Sequence, residues 1–444
     1  MFELDFTHDP GRKSWVESAN DPATEFPIQN LPFGVYCVGS GAAKIGVAIG
    51  DQILDLGAAA ENGFISDTTA AAAAKESALN DIMSLNKQQR IQIRHDVSNL
   101  LASDSDVDQS RVTLDAQSEA TMLMPCQIRD YTDFYASVYH ATNVGSMFRP
   151  NNPLLPNYKH IPIGYHGRAS SVVISGTDVR RPVGQKAPAE EGGNPTRSPA
   201  ALLDYEFEVG FFVAQGNELG SSISIEQAED HIFGMVIVND WSARDLQKWE
   251  YQPLGPFLAK SFATSISAWV VTMEALAPFR CAEFSRPDGD PTPLEYLTTD
   301  QNQKLGGVNI QLEAFLATAK MRDQSLEPHP LSKTAFTNMY WTIAQMLTHH
   351  SSNGCNMQPG DLLASGTVSG PSKDQRGCLL ELTWNGDLDK PVPGTDRTPI
   401  KLASEEERKF LGDGDEVTMK AYCESDEHRR IGFGSCTGTV LKSI

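Results

Sequence analysis

The chain has 444 residues, of which 40% are hydrophobic and 21% are charged, a composition typical of a globular protein with roughly two or three domains. Its formal net charge of −21 disfavours binding to nucleic acids and to anionic membrane surfaces. No apolar run reaches the roughly 18–20 residues of a membrane helix, and the N-terminus does not resemble a signal peptide. The seven cysteines are scattered and form no C-x-x-C pair. We therefore expect a cytoplasmic protein with reduced thiols.

Residues 1–124 are predicted to form a separate N-terminal domain. Short apolar or alternating runs, punctuated by Gly and Asp, predict the strands of a small β-barrel or sandwich at 34–38, 44–49 and 52–56. An Ala-rich stretch at 70–79 and an amphipathic segment at Lys87–Leu101 predict helices. We find no residues in this domain that indicate chemistry.

Residues 125–444 are predicted to form the second domain, which is rich in β-structure. Apolar and alternating runs predict strands at 170–174, 202–213, 233–238, 269–271, 308–312, 378–384 and 416–422. A helix is predicted over 334–350, with Ser332 as its N-cap. The Gly- and Pro-rich segments 182–199 and 284–305 are predicted to be loops.

The segment DYEFEV at 204–209 alternates acidic and apolar residues. In a strand, its apolar side chains face the core and its acids share the other face at intervals of about 7 Å. The acids are Asp204, Glu206 and Glu208. Two interpretations are open: a solvated outer face, or oxygen ligands for a hard divalent cation, Ca²⁺ or Mg²⁺.

A second group of polar residues follows the predicted strand at 233–238. Residues 240–251 have helical character, which places an acid, a cation, an amide and a phenol on one face: Asp240, Arg244, Gln247 and Tyr251. This combination indicates a site, and an ion pair beside a packed tyrosine is the alternative. Lys260 lies in an apolar stretch, where a lysine is either snorkelling or functional.

His140 is a candidate general base, because histidine titrates near neutral pH. A structural histidine is the alternative interpretation. The pair His349 and His350 ends the predicted helix, where interaction with the helix dipole is a better explanation than a metal site. A serine nucleophile is not indicated, because no G-x-S-x-G motif is present and no base is paired with Ser365.

Five segments closely resemble the fumarylacetoacetate hydrolase family: FPIQNLP at 26–32, DYTDFYASVYHATNVGSMFR at 130–149, GYHGRASS at 164–171, NDWSARDLQKWEYQPLGPFLAKSFAT at 239–264 and LLASGTVSG at 362–370. The resemblance implies a mainly β fold with some helix, in which an SH3-like β-barrel (1–124) precedes a mixed β-sandwich roll (125–444). It also implies a homodimer that hydrolyses the carbon–carbon bond of 4-fumarylacetoacetate to fumarate and acetoacetate. That reaction is the last step of tyrosine and phenylalanine catabolism.

The resemblance further implies a role for each matching residue. The ligands of a divalent cation, Ca²⁺ or Mg²⁺, are Asp133, Glu206, Glu208 and Asp240, and a second Mg²⁺ or monovalent site involves Lys260 and Thr264. The general base is His140, oriented by Glu381, and the leaving group is stabilised by Arg244, Gln247 and Lys260. Substrate is held by Tyr135, Arg149, Gln247, Tyr251 and Thr367. Ala259 and Ala263 depart from the family pattern, in which glycine is common at these positions.

Three other functions are weighed against this one. A related enzyme of the same superfamily, such as an acylpyruvate hydrolase or an oxaloacetate decarboxylase, would keep the metal carboxylates. An inverting glycosidase could use Glu206 and Glu208 at about 7 Å, but it leaves His140 and Arg244 unexplained. A non-catalytic binding module would require His140 and Glu381 to be structural. Metal-dependent turnover of a diketone acid separates the implied function from the glycosidase and the binding module. Comparing fumarylacetoacetate with acylpyruvates and oxaloacetate separates it from the related enzymes.

Overall fold

The computed structural model describes residues 3–387 and 390–444, and its fold is mainly β with helices, as the sequence predicts. The helices are α1 (Leu56–Glu61), α2 (Thr68–Ala73), α3 (Asn80–Met83), α4 (Lys87–Leu101), α5 (Val138–Phe148), α6 (Arg244–Glu250), α7 (Asp300–Leu305), α8 (Ala319–Asp323), α9 (Ile343–Ser351) and α10 (Leu379–Leu382). None of the helices in the described ranges is long and apolar enough to cross a membrane.

The N-terminal strands are β1 (Phe33–Val38), β2 (Lys44–Ile49), β3 (Gln52–Asp55), β4 (Leu114–Ala116) and β5 (Ala120–Leu123). They form an antiparallel sheet in the order β4-β3-β2-β1-β5, which fits the expected SH3-like barrel only roughly. Helix α4 has the predicted bounds, because Asn86 accepts from the Gln89 amide in a capping box and one helix face buries Ile93 and Val97.

The remaining strands are β6 (Tyr131–Phe134), β7 (Gly164–His166), β8 (Val172–Ile174), β9 (Val179–Arg180), β10 (Val183–Lys186), β11 (Thr196–Pro199), β12 (Leu203–Asp204), β13 (Phe207–Val213), β14 (Ile232–Asp240), β15 (Ser242–Ala243), β16 (Thr264–Ile266), β17 (Val271–Thr272), β18 (Arg280–Cys281), β19 (Gly307–Val308), β20 (Gln311–Ala317), β21 (His329–Ala335), β22 (Leu362–Ala364), β23 (Ile400–Lys401), β24 (Glu407–Arg408), β25 (Glu416–Cys423) and β26 (Ile431–Leu441). The largest sheet has the order β7-β6-β22-β13-β14-β16-β8, with β17 added beside β14.

The middle strands of this central sheet, β13 and β14, are buried on both faces. Phe211 and Ile237 pack into a core that also contains residues of a second sheet, β21-β20-β25-β26-β9. The alternate residues Phe212 and Val236 pack on the other face with residues of the N-terminal sheet and of α4. Because neither face meets water, β13 and β14 are nearly continuous apolar runs, and the few carboxylates within or next to them stand out.

The register of the central sheet brings the candidate metal ligands to one end. Asp133 in β6 lies opposite Ala364, and Asp240 at the end of β14 lies opposite Thr264. The antiparallel pairing of β13 with β14 sets Glu208, near the start of β13, opposite Val238. Residues far apart in sequence therefore meet where these strands begin or end.

One predicted helix and one predicted strand differ clearly from the structure. The first part of the helix predicted over 334–350 is the end of β21, which pairs with β20, and α9 begins only after its N-cap, Thr342. The strand predicted over 378–384 is instead the single turn α10. The amides of Leu379 and Leu380 donate to the Asp204 carboxylate, at 2.8 and 2.9 Å, and these bonds to a distant side chain hold the turn.

The polar motifs also depart from the predicted geometry. The strand at 204–209 is broken between β12 and β13, and its three acids are almost fully buried, which excludes a solvated face. Helix α6 begins at Arg244, so Asp240 belongs to β14 and does not share its face. The predicted loop 182–199 contains the hairpin β10–β11, and the predicted loop 284–305 ends in α7.

Candidate active site

Four buried carboxylates form a group that we call the acidic cluster: Asp133, Glu206, Glu208 and Asp240. Each offers one oxygen, and these oxygens lie within 4.8 Å of one another. Three members come from strands of the central sheet, and Glu206 comes from the break before β13. All four were predicted as metal ligands, and the fold brings them together.

The acidic cluster is only partly satisfied by hydrogen bonds. Its uncharged donors are Thr264 Oγ1 to Asp240 Oδ1 (2.9 Å), the Gly366 amide to Glu208 Oε2 (3.1 Å) and the Tyr165 hydroxyl. That hydroxyl lies 3.0 Å from Asp133 Oδ2 and 2.9 Å from Asp240 Oδ2 and can donate its one proton to either. Two buried oxygens, Asp133 Oδ1 and Glu208 Oε1, have no hydrogen-bond partner among the described residues. A buried oxygen without a partner is costly, so these two atoms indicate a missing ligand.

Two cations neutralise part of the acidic cluster. Lys260 Nζ lies 2.6 Å from Asp240 Oδ2 and also forms an ion pair with Glu206. Arg244 Nη1 donates to Glu206 Oε1 at 2.6 Å. Both cations therefore act on the side of the cluster that contains Glu206, and the orphaned oxygens of Asp133 and Glu208 lie outside their hydrogen bonds.

The carboxyl pKa values reflect this division. Burial, with repulsion from Asp240, raises the pKa of Asp133 well above its ordinary value. Burial and the neighbouring carboxylates, Asp133 first, do the same to Glu208. Burial also raises the pKa of Glu206, but Lys260 and Arg244 outweigh it and hold that pKa below its ordinary range. A further divalent cation would compensate the charge at Asp133 and Glu208, and an all-oxygen set suits Ca²⁺ or Mg²⁺.

His140 and Glu381 form a second buried unit, which we call the His–Glu pair. His140 Nδ1 lies 2.6 Å from Glu381 Oε2, and Glu381 also accepts from Asn143 Nδ2 and Ser369 Oγ, both at 2.8 Å. Burial raises the pKa of Glu381, but His140 and these donors outweigh it and lower the pKa to about 2. Since the ionised carboxylate only accepts, Nδ1 carries the proton and Nε2 is free as a base. Nε2 lies 4.0 Å from Glu206 Oε1, so it is directed at the acidic cluster.

The predicted substrate residues lie at different distances from these two units. The Tyr135 ring packs edge-on against His140, with centroids 5.3 Å apart. Thr367 follows Gly366, which contacts Glu208, and its buried Oγ1 has no partner among the described residues. Gln247 Oε1 accepts from Arg244 Nη1 at 3.1 Å. The side chains of Tyr135 and Gln247 therefore adjoin the site, and Thr367 is next in the chain to a residue that contacts it.

Two predicted substrate residues are less closely tied to the site. Arg149 ends α5 and donates to the Pro153 carbonyl at 3.2 Å, while its buried Nε has no partner in the described chain. Its charge nonetheless opposes the rise in the Tyr135 pKa, a rise caused mainly by burial. Tyr251 is the half-buried C-cap of α6, and none of the described residues forms a hydrogen bond with its hydroxyl.

The structure adds residues that the sequence analysis did not single out. Tyr165 bridges two members of the acidic cluster, and burial and those carboxylates raise its pKa well above the ordinary value, so it remains a donor. Asn143 and Ser369 hold Glu381. Tyr165 and Ser369 do lie in the quoted segments 164–171 and 362–370, whose likeness to the family was the available signal. Lys260 contacts the cluster through its ammonium, which has no lone pair for a metal.

Comparison with known proteins identifies the family of this chain. The family model for the fumarylacetoacetate hydrolase C-terminal region matches residues 130–441, and that for the fumarylacetoacetase N-terminal region matches residues 29–125. Fumarylacetoacetase from Bos taurus is 47% identical over 440 residues, covering 97% of this chain and 99% of the relative. The Caenorhabditis elegans enzyme is 48% identical over 431 residues, covering 94% and 97%.

A solved structure, a fumarylacetoacetate hydrolase from Exiguobacterium antarcticum, covers 93% of this chain and 99% of its own, with 16% identity and a TM-score of 0.49. The family assignment rests on the full-length matches in sequence. Both the cluster and the His–Glu pair lie within the region that the C-terminal model matches. The chain therefore belongs to the fumarylacetoacetate hydrolase family.

Proposed function

We propose that this chain is a fumarylacetoacetase, which hydrolyses the carbon–carbon bond of 4-fumarylacetoacetate to give fumarate and acetoacetate. Its relatives with that name are similar over nearly their whole length. One structural observation carries the mechanism: the free nitrogen of His140 is directed at the acidic cluster, 4.0 Å from Glu206 Oε1. A base and a candidate cation site are thus placed side by side. The reaction is the last step of tyrosine and phenylalanine catabolism.

The acidic cluster would hold the divalent cation through Asp133, Glu206, Glu208 and Asp240. The two orphaned oxygens and the all-carboxylate donor set fit Ca²⁺ or Mg²⁺. When bound, such a cation supplies Lewis-acid polarisation of a diketone oxygen. Lys260 and Thr264 were also assigned to a second cation site. Thr264 offers a hydroxyl oxygen, and position 260 offers only a backbone carbonyl, because its ammonium pairs with carboxylates.

His140 acts as the general base. Glu381 fixes the imidazole through Nδ1, so Nε2 can take a proton from water as the water attacks the carbonyl carbon beside the fumaroyl unit. Glu381 remains ionised throughout, because its pKa is about 2. The pair therefore works as an oriented base, in which the carboxylate stabilises the imidazolium that forms.

Arg244, Lys260 and Gln247 stabilise the leaving group. Carbon–carbon cleavage expels a carbanion, which is a poor leaving group unless its charge is held on oxygen as an enolate. Arg244 Nη2 lies 2.9 Å from Asp204 Oδ2 but forms no hydrogen bond in the described chain. It carries two N–H groups, so at least one of them is available for that charge. Fixed donors of this type usually provide the largest electrostatic contribution to catalysis.

The residues predicted to hold substrate complete the site. Tyr135 packs against the base, Gln247 contacts Arg244, and Thr367 follows Gly366, whose amide donates to the acidic cluster. Arg149 provides charge for a carboxylate of the dianionic substrate. Tyr251 lies at the end of the helix that carries Gln247. Arg149, Arg244 and Lys260 therefore provide positive charges for an anionic substrate in a protein of net charge −21, and a bound divalent cation would offset the charge of the acidic cluster.

We also propose that the enzyme is a cytoplasmic homodimer. The family resemblance supports the dimer, and seven cysteines without disulfides suit a reducing compartment. Light scattering on the purified protein tests the dimer, and fractionation of the source cells tests the location.

The decisive assay follows the absorbance of the diketone chromophore of 4-fumarylacetoacetate. The protein is assayed as purified, after chelation, and after Ca²⁺ or Mg²⁺ is restored. We expect rapid loss of absorbance, loss of that activity on chelation, and recovery with the metal, with fumarate and acetoacetate as products. No turnover with metal bound, together with turnover of acylpyruvate or oxaloacetate, would contradict the proposed substrate and leave the family assignment intact.

A further inference from the structure

We infer that Asp204 is a positioning residue that couples the two halves of the site by holding Arg244 and the α10 turn that carries Glu381. The inference rests on the proposed function, and it gives a role to a carboxylate outside the acidic cluster. Asp204 ends β12 and is completely buried. The sequence motif placed it beside Glu206 and Glu208, but the break after β12 sends its side chain to different partners.

The first partner of Asp204 is Arg244. Asp204 Oδ2 lies 3.0 Å from Arg244 Nε and 2.9 Å from Nη2. The opposite side of the guanidinium, Nη1, contacts Glu206 and Gln247. A carboxylate beside two guanidinium nitrogens fixes the plane of the group, which contacts through Nη1 alone do not do. Asp204 therefore sets the orientation of the Arg244 guanidinium, and with it the direction of the second N–H group of Nη2.

The second partner of Asp204 is the beginning of α10. The Leu379 amide donates to Oδ1 at 2.8 Å and the Leu380 amide donates to Oδ2 at 2.9 Å. These amides start a helical turn and have no partner within it, and Cys378 at the N-cap provides no side-chain bond. One turn is too short to be stable alone, so it depends on this distant cap.

The other end of α10 is also tied to the protein. Arg376 Nη1 donates to the Glu381 carbonyl at 2.8 Å. Glu381 thus lies between an anion at the start of the turn and a cation at its end, the arrangement that the helix dipole favours. A change at Asp204 should displace Glu381, and through Glu381 the imidazole of His140.

The substitution Asp204→Asn tests this coupling with little change in volume. The asparagine side chain keeps one acceptor oxygen, but its NH₂ group faces N–H donors that the Asp204 carboxylate accepts from in the wild-type protein. The matched control is Glu229→Gln, which changes another buried carboxylate that pairs with an arginine, Arg280, and lies outside the site. Thermal unfolding of both variants shows how much of any effect is a general loss of stability.

The first readout requires no substrate. The proton on His140 Nδ1 is shared with Glu381 at 2.6 Å in a buried site, and should give a far-downfield proton NMR resonance that His140→Gln removes. We expect Asp204→Asn to shift or remove this resonance and Glu229→Gln to leave it in place. An unchanged resonance in Asp204→Asn would overturn the coupling to Glu381.

The second readout is kinetic. We expect Asp204→Asn to lower kcat by about 10²-fold, the scale of a misplaced base or oxyanion donor, with a smaller change in KM. The losses of Asp204→Asn and Arg244→Gln should be less than multiplicative in the double variant. A kcat within twofold of wild type, or an equal loss in Glu229→Gln, would overturn the inference.

Two further outcomes are separable. If Asp204→Asn does not fold, the variant Asp204→Ser, which has a smaller side chain, is measured in the same way with the same expectations. If the wild-type protein does not turn over 4-fumarylacetoacetate, the proposed function fails. The NMR comparison then still decides whether Asp204 positions the His–Glu pair.

Discussion

The acidic cluster and the His–Glu pair are both built from buried carboxylates, yet the protein treats them in opposite ways. Glu381 receives hydrogen bonds from His140, Asn143 and Ser369. In the cluster, by contrast, Asp133 Oδ1 and Glu208 Oε1 are buried without a hydrogen-bond partner among the described residues. A carboxylate whose oxygens all have hydrogen-bond partners is held in place. A group of buried carboxylates with too few partners is suited to bind a divalent cation.

The pKa values show the same contrast. Burial tends to raise every carboxyl pKa, and the donors around Glu381 overcome it, giving a pKa of about 2. At Asp133 and Glu208 the neighbouring carboxylates add to burial, and the pKa rises. Burial alone therefore does not distinguish a positioning carboxylate from a metal ligand. The number of donors and the sign of the neighbouring charges do.

The largest expected effect is the loss of turnover in His140→Ala. Removing a general base typically costs about 10²–10⁴-fold in rate, because no other group takes the proton from water. The measurement is kcat with 4-fumarylacetoacetate. His140 is not a member of the acidic cluster, and its Nε2 lies 4.0 Å from Glu206 Oε1. The metal content of the His140→Ala variant should therefore stay close to that of wild type. Glu206→Ala, in contrast, should lose metal, and equal metal loss in the two variants would contradict this division of roles.

The next effect is stabilisation by calcium. At a Ca²⁺ concentration of 100 times Kd, a cation bound only to the folded state adds about 2.7 kcal/mol to the free energy of unfolding. Glu208→Gln should lose this gain, because it removes charge at one of the orphaned oxygens. In chelator, the variant should be at least as stable as wild type, because one repelling carboxylate is gone. Thermal unfolding with and without Ca²⁺ tests this, and an equal shift in both proteins would contradict it.

The third effect is the pH dependence of the metal-free protein. A carboxyl pKa that is raised on folding means that the folded state binds more protons than the unfolded state, so stability falls as pH rises through the raised value. The free energy of unfolding, measured with denaturant in the presence of chelator, should therefore fall from pH 5 to pH 8. The fall is about 1.4 kcal/mol per pH unit while one extra proton is released. Saturating Ca²⁺ should remove this loss. A metal-free protein of constant stability over this range would argue against the repulsion.

In the same experiment, the contribution of Glu381 to stability changes with pH in the opposite direction. Its folded-state pKa is lowered to about 2, so its contribution is complete above the ordinary carboxyl pKa and is lost as pH falls toward 2. Glu381→Gln should reduce the loss of stability at acidic pH and leave the loss of stability between pH 5 and pH 8 unchanged. A change on the neutral side alone would contradict the contrast between the two units.

The smallest effect concerns a carboxylate outside both units. Burial raises the pKa of Asp361 to about 6, although the amides of Asp130 and Gln358 donate to its oxygens. As pH falls from 7 to 4, the free energy of unfolding of wild type should rise by about 2 kcal/mol relative to that of Asp361→Asn. The folded wild type takes up a proton at Asp361, and the variant has no carboxyl group there. Ca²⁺ should not alter this difference. A calcium effect here would mean that a raised pKa, without orphaned oxygens, is enough to mark a metal site.

Local signals in the sequence were enough for some elements and insufficient for others. Helix α4 was predicted at its observed bounds, because its cap and apolar face lie within the helix itself. The turn α10 was mistaken for a strand, because its apolar run gives no sign that Asp204, far away in the chain, satisfies its first amides. The strand β21 was likewise fixed by pairing with β20, which outweighed helical character in the segment.

The site shows the same limit. The spacing of Glu206 and Glu208 left a metal site open beside a solvated face. Asp133 and Asp240 came as ligands from family resemblance, because only the sheet register brings them together. The predicted face of a helix from Asp240 to Tyr251 failed, since Asp240 is in a strand. Tyr165 was not singled out, because a lone tyrosine gives no sequence signal of a hydrogen bond to two distant acids.

Calorimetric titration of Ca²⁺ into the chelated protein tests the contrast most directly, with Glu208→Gln and Glu381→Gln as matched variants. Each variant changes one buried carboxylate to an amide, one in the acidic cluster and the other in the His–Glu pair. We expect wild type and Glu381→Gln to bind Ca²⁺ with similar affinity and Glu208→Gln to bind at least about tenfold more weakly, the scale of 1.4 kcal/mol in binding free energy. Equal weakening in the two variants, or undiminished binding in Glu208→Gln, would contradict the assignment of the cluster to the cation and of the pair to the base.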